Sequence, residues 1–329
     1  MRLGAPPSRQ RGIAMLIAVL LVALGTIIAA AIAYENGMSA RRSVATFDFD
    51  EGILVAQGAE ALAAYGIQQT LQMQGSQNTA SRTINLTQPW AQPVPPMEIV
   101  PGVMLDASLE DVTGRFNLNS LVDPQTGLAD PVAKAVFENL LQSVDIDPKW
   151  AGLVIDWIDP DTQPTTPSGA EDSVYMGQNP PYLTANEYIT STTELLALPQ
   201  FGRDNFQKLA PYITALPPGT LLNVCTAPGL VLDAYIGAGH VDFANPETLA
   251  KNRAGAGGCF PKLTTDYSAA FGNPAAFSKV QGKLNENSQF FRLTSHVTIG
   301  TTEFNLYSLL YLESGTGTTR PILRSYSPD

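Results

Sequence analysis

From Ile13 to Tyr34 the chain runs for 22 residues without a charged side chain. Roughly 20 helical residues cross a bilayer core, so this run commits the N-terminus to a lipid-embedded helix. Arg2, Arg9 and Arg11 precede it and Glu35 follows it. Basic residues stay on the cytoplasmic side, which places residues 1–12 inside and the remainder outside. A secretory signal usually has a shorter apolar core followed by an A-x-A-like cleavage site. Here Ala29-Ala30-Ala31 offers such a site only weakly. The second option is a cut before the run, which leaves the helix on the mature chain.

Beyond the span, residues 35–74 contain no proline and permit helix. A single helix from Ile13 to Leu71 would be about 90 Å long at 1.5 Å per residue, half in lipid and half projecting outward. The chain has 329 residues and a net charge of −11. Three arginines and no acid lie in the first twelve residues, so the rest carries −14. That surface repels nucleic acid and anionic headgroups and suits cations or a basic partner. The length allows one large domain or two modest ones.

Residues 75–102 are rich in Gln, Thr and Pro and are predicted to be an extended connector. Val103, Leu105, Ala107 and Leu109 then alternate, Thr113-Gly114 turns the chain, and Phe116 and Leu118 alternate again, which predicts two strands. Near the C-terminus, Phe291, Leu293, Val297 and Ile299 share one face. Phe304, Leu306, Leu310 and Leu312 share another, and residues 320–327 complete a three-stranded meander. Between these strands the pattern turns helical. Asp130-Pro131 and Asp147-Pro148 mark two helix starts. Trp150, Leu153, Val154, Trp157 and Ile158 form a buried stripe at helical spacing.

The acid-rich loop that follows carries the clearest chemistry. Asp159, Asp161, Glu171 and Asp172 lie between prolines, with Asp156 just upstream. Hard oxygen donors on an irregular loop suit calcium, although the EF-hand spacing is absent. The residues alone leave calcium binding and a solvated acidic loop both open. The cysteines are Cys225 and Cys259. In an exported domain the simplest state is one disulfide, the alternative being two buried thiols. A helix-hairpin-helix pattern at 194–213 has only Arg203 and Lys208 beside it, too little charge to hold DNA. His240 and His296 sit in no catalytic pattern.

The stretch "RQRGIAMLIAVLLVAL" resembles a class III prepilin leader. That resemblance implies cleavage after Gly12 by a prepilin peptidase and methylation of Ile13. "GRFNLNSL", "DWIDPD", "GAEDSVY", "PPYLTANE", "TELLAL" and "PYITALPPGTLLNVCTAP" then follow in order over residues 114–228. The ordered set resembles the K-type minor pseudopilins of the type II secretion system. The chain departs from that family at Ile13, where Phe or Met is commoner, at Cys225, and over residues 251–262.

The resemblance implies an α+β fold in which a long N-terminal transmembrane helix (13–75, spanning at 13–34) leads to a pseudopilin α/β core with an antiparallel sheet. The core is assigned to 76–119 and 286–329, interrupted by a large inserted all-α domain (120–285) that carries the calcium loop (156–187). It implies calcium held by Asp156, Asp159, Asp161, Glu171 and Asp172. Pseudopilins usually carry glutamate at the fifth mature position, where this chain has Ile17, a substitution that suits a filament end. The implied partners are the I- and J-type minor pseudopilins, with the H-type and major pseudopilins as further candidates. The implied role is non-enzymatic: the tip of the pseudopilus, anchored in the bacterial inner membrane with its bulk in the periplasm. The alternative is a signal-anchored periplasmic calcium-dependent binding protein or hydrolase.

Overall fold

A computed structural model describes residues 11–73, 83–254, 258–260, 267–313 and 316–327. Leader residues 1–10, the connector at 74–82, parts of 251–262, and Gly315 lie outside the described residues. In chain order the strands are β1 (Met97–Val100), β2 (Val103–Asp111), β3 (Phe116–Asn117), β4 (Ile213–Thr214), β5 (Leu222–Asn223), β6 (Leu284–Asn285), β7 (Phe290–Ile299), β8 (Thr302–Leu312) and β9 (Thr319–Ser325). The helices are α1 (Arg11–Met73), α2 (Pro131–Ser143), α3 (Trp150–Ile158), α4 (Asp172–Tyr175), α5 (Gly202–Leu209), α6 (Gly229–Ile236), α7 (Pro246–Ala254) and α8 (Pro274–Val280).

The stalk α1 is unbroken over 63 residues. Gly12 and Ile13 lie in its first turn. From Ile13 to Ile32 every large apolar side chain is at least half exposed, as expected of a helix whose solvent is lipid. Its second half is one-sided. Gly52, Ala56, Ala59, Ile67 and Leu71 recur at helical spacing and are buried. They pack on Val103, Leu105, Phe291, Leu293, Phe304, Leu306 and Leu310 of the sheet. The small residues let helix and sheet approach closely, and a side chain on Gly52 would meet the Phe304 ring at 3.1 Å. One acid lies inside this apolar face. Glu60 is 5% exposed and accepts two hydrogen bonds from Arg324, both 2.7 Å, and one from Ser308 Oγ at 2.6 Å. The last strand is thereby bolted to the stalk through a charge-assisted bidentate pair.

The sheet has the order β1-β2-β7-β8-β9, and every pairing is antiparallel. The C-terminal meander is found as expected, in register from Phe290↔Tyr311 to Ile299↔Thr302. Two local expectations change. The connector contributes a helical turn at Pro89–Ala91 and the edge strand β1. The second strand of the 103–118 pair shrinks to two residues, because the asparagines of "FNLN" divert the chain. Asn117 Oδ1 accepts from Asn119 N and Leu216 N, and Asn119 bonds both Ile189 and Leu216. β3 therefore joins the insert, pairing parallel with β4.

The insert leaves the sheet after Asp111 and returns before Phe290. It is rich in helix, stitched by the short parallel ladders β3–β4 and β5–β6. Asp130 caps α2 by accepting from Val132 and Ala133 N, and pairs with Lys283. Asp147 accepts from Lys149 N, and α3 starts later than the Asp147-Pro148 signal suggested, at Trp150. Phe116, Phe137, Trp150, Trp157, Phe201 and Tyr235 lie in one apolar core. A disulfide joins Cys225 and Cys259, Cα atoms 4.6 Å apart.

Candidate metal centre

Helix α3 is buried on almost every side and carries Asp156 near its end at 0% exposure. No apolar group stabilises a carboxylate there, so its oxygens need donors. The loop supplies one: Thr165 N–H reaches Oδ1 and Oδ2 at 3.0 and 3.1 Å. To do so the chain folds tightly over Asp156 at residues 165–169, with Gly169 N–H on Thr165 O at 2.5 Å. A side chain on Gly169 would meet Asp156 Oδ2 at 2.1 Å and Thr165 N at 2.3 Å. Gly152 on α3 opens the same contact from below, where a Cβ would stand 3.3 Å from Ser168.

This wrap delivers Glu171 to the end of α3, where Asp159 forms the C-cap. Carboxylate oxygens of Asp156, Asp159 and Glu171 lie within 4.8 Å of one another, all three side chains buried. Asp159 Oδ1 and Glu171 Oε1 are buried without a hydrogen-bond partner. No Lys, Arg or His pairs with any of the three among the described ion pairs. Burial, reinforced by the neighbouring Asp161, Asp156 and Glu171 charges, pushes the Asp159 carboxyl up to about 7. Burial and the Asp156 and Asp161 charges push Glu171 up to about 7 as well. Asp156 is also raised by burial, against the Thr165 bonds that lower it.

Of the five expected acids, three converge. Asp161 lies outside the trio and is exposed, its Oδ1 accepting from Gln163 N at 2.7 Å, yet its charge is felt by Asp159 and Glu171. Asp172 turns the other way. It accepts from Thr184 N and Oγ1 at 3.0 and 2.7 Å, bonds that hold its carboxyl below the usual range. Thr184 also reaches Glu171 Oε2 at 3.4 Å and so ties the far end of the loop to the cluster. Beneath lie Trp157, Tyr175 and Tyr182, ring centroids 5.3 and 5.5 Å apart in succession. Thr165, Gly169 and Thr184 were not singled out from the sequence, although Gly169 stands inside the "GAED" motif.

The other candidates are accounted for elsewhere. His240 Nδ1 is 2.8 Å from buried Asp233 Oδ1, which also accepts from Phe243 N. His296 lies against Asn305 on the sheet, and Lys208 meets Asp145 at 3.6 Å. Ile17 is half exposed on α1, a helix long and apolar enough to cross a membrane.

Known proteins place this arrangement. The family described as type II secretion system (T2SS), protein K, matches residues 114–218. The type II secretion system protein K of Pseudomonas aeruginosa is 30% identical over 299 residues, covering 88% of this chain and 85% of that protein. Its counterpart in Klebsiella pneumoniae is 33% identical over 66% of this chain and 67% of that one. The counterpart in Pectobacterium carotovorum is 28% identical over 93% of each. A chain in the crystal structure of the GspK-GspI-GspJ complex from enterotoxigenic Escherichia coli has the same fold, with a TM-score of 0.71 at 21% identity. That match covers 88% of this chain and all of the other. With the likeness running from the stalk through the sheet and the insert, the chain belongs to the type II secretion system protein K family and is a K-type minor pseudopilin.

Proposed function

We propose that this pseudopilin stands at the tip of the pseudopilus, bound to I- and J-type minor pseudopilins, where it starts or caps the filament that serves protein export. The observation that carries this is the insert. It hangs residues 112–288 from one end of the sheet, a bulk that a thin filament built by repeating one head-to-tail contact cannot bury at every step. Ile17 supports the same position. A carboxylate at that depth is costly unless paired, and an end subunit lacks one neighbour to pair with. The periplasmic half of the stalk leaves Phe47, Leu54, Leu62 and Tyr65 more than half exposed, an apolar surface that suits neighbouring stalks. The E. coli protein of the same fold was crystallised in a complex with GspI and GspJ.

We further propose that Asp156, Asp159 and Glu171 hold calcium, with Asp161 adding charge and Asp172 steadying the loop. The donor set is all hard oxygen, and the two unpartnered buried oxygens of Asp159 and Glu171 fit a cation. Bound calcium would cancel their repulsion and fasten the loop to α3. The role is structural in this account, with no bond chemistry, and the protein sits in the inner membrane with its bulk in the periplasm.

The full-length protein extracted in detergent is expected to co-purify with I- and J-type minor pseudopilins at equal stoichiometry, with N-methylated Ile13 as its terminus. A protein that elutes alone, starting at Met1 or near Tyr34, would contradict the assembly role.

A further inference from the structure

The stalk and sheet share one apolar core, the insert has another, and no residue belongs to both. Between them, among the described residues, lies a small cluster of Val112, Leu216 and Phe290, with Leu309 and Tyr311 packed against it. Apolar contacts are non-directional, and so small a patch does not fix an angle between two bodies. The directional contacts at this junction form two groups. Glu110 pairs with Arg115 and Arg292, Arg115 also donating to Ala210 O, and the more deeply buried group gathers on one carboxylate. Asp111 closes β2 at 5% exposure. Its Oδ1 accepts from Thr113 N at 2.9 Å. Its Oδ2 accepts from Asn223 Nδ2 at 3.1 Å, Thr226 Oγ1 at 2.5 Å and Ser288 Oγ at 2.5 Å. Thr113 lies in the turn that follows β2, Asn223 and Thr226 lie in the middle of the insert, and Ser288 lies on the chain returning to β7. Asn223 Nδ2 extends the network to Ile84 O at 2.8 Å, on the segment that follows the stalk. Gly114 allows this closeness, since a side chain there would meet Thr226 Oγ1 at 2.6 Å.

We infer that Asp111 is the positioning residue that fixes the direction in which the insert projects from the stalk and sheet. A fully hydrogen-bonded buried carboxylate enforces geometry more than it adds stability. Removing it takes the acceptor from Thr113 N, Thr226 Oγ1 and Ser288 Oγ, while Asn223 Nδ2 keeps Ser288 Oγ at 2.7 Å and Ile84 O at 2.8 Å. The loss falls on the junction, and the apolar core of each unit is untouched. Asp111→Ala should therefore fold with its two units loosely aligned.

The test uses full-length protein in detergent, spin-labelled at Arg203→Cys on the insert and Glu303→Cys on the sheet. Pulsed dipolar spectroscopy gives the distance distribution, and amide exchange is followed in both units. Asp111→Ala is expected to widen the distribution about twofold, with amide protection inside each unit retained. Asp111→Asn, which keeps the shape and one acceptor, is expected to give an intermediate width. An unchanged width in Asp111→Ala would overturn the inference and leave orientation to the apolar cluster and the Glu110 pairs. Loss of protection throughout both units would overturn it too, making Asp111 an ordinary core group.

Discussion

Removing calcium with EDTA is expected to lower the melting temperature of the detergent-extracted protein by about 5–10 °C. Ligand at a hundredfold excess over Kd stabilises by about 2.7 kcal/mol, and a domain of this size shifts by ~2–4 °C per kcal/mol. The same treatment should open residues 159–187 to proteolysis. The size of the drop depends on pH. Without metal, Asp159 and Glu171 hold protons up to about 7 in the folded protein, against ordinary values of 3.8 and 4.5. Between those limits the native state binds more protons than the unfolded chain, so stability falls as pH rises and levels off above the folded values. Calcium bound as proposed would take the place of those protons. The gap between calcium-loaded and EDTA-treated samples should thus widen from pH 5 to pH 7.5. An equal gap at both pH values, or none, would count against a cation at this cluster.

Gly169→Ala should have an effect of similar size by a different route. Its Cβ would overlap Asp156 Oδ2 and Thr165 N, and the second of these is backbone, so the 165–169 wrap must open. Forcing one methyl into such a site costs about 1–3 kcal/mol or more, and Glu171 loses its approach to Asp159. Calorimetric titration is expected to show calcium affinity reduced at least tenfold, with the melting temperature already down by ~5 °C in EDTA. Gly282→Ala serves as the control, since a Cβ there meets nothing within 4 Å. Equal calcium affinity in Gly169→Ala and the parent protein would show that the wrap does not build the site.

Much of this architecture was legible in the chain because each element buries a simple pattern. The uncharged run at 13–34 is matched by the exposed half of α1, and the alternation at 290–312 by β7 and β8. The Trp150 to Ile158 stripe is matched by α3. β1 was missed because Pro93, Pro95 and Pro96 precede it, and prolines argue against a strand. Composition marked five acids near one another, but which of them meet depends on the path of the loop. That path is set by Thr165 and Gly169 around Asp156, and by Thr184, which draws Asp172 away. Asp111 had a readable signal that went unused. Val103, Leu105, Ala107, Leu109 and Asp111 share one parity, so the inward series of β2 ends in a carboxylate. Glu60 carries the same signal on the stalk, lying within the spacing of Ala56, Ala59 and Ile67.

The central claim is position at the tip, and the direct measurement is where this subunit lies on an assembled pseudopilus. Gold label directed to a tag at the C-terminus would be imaged on filaments by electron microscopy. One label per filament, at an end, is the predicted result. Labels spaced along the shaft would contradict the account, because they would mean that the filament accommodates the insert at successive steps.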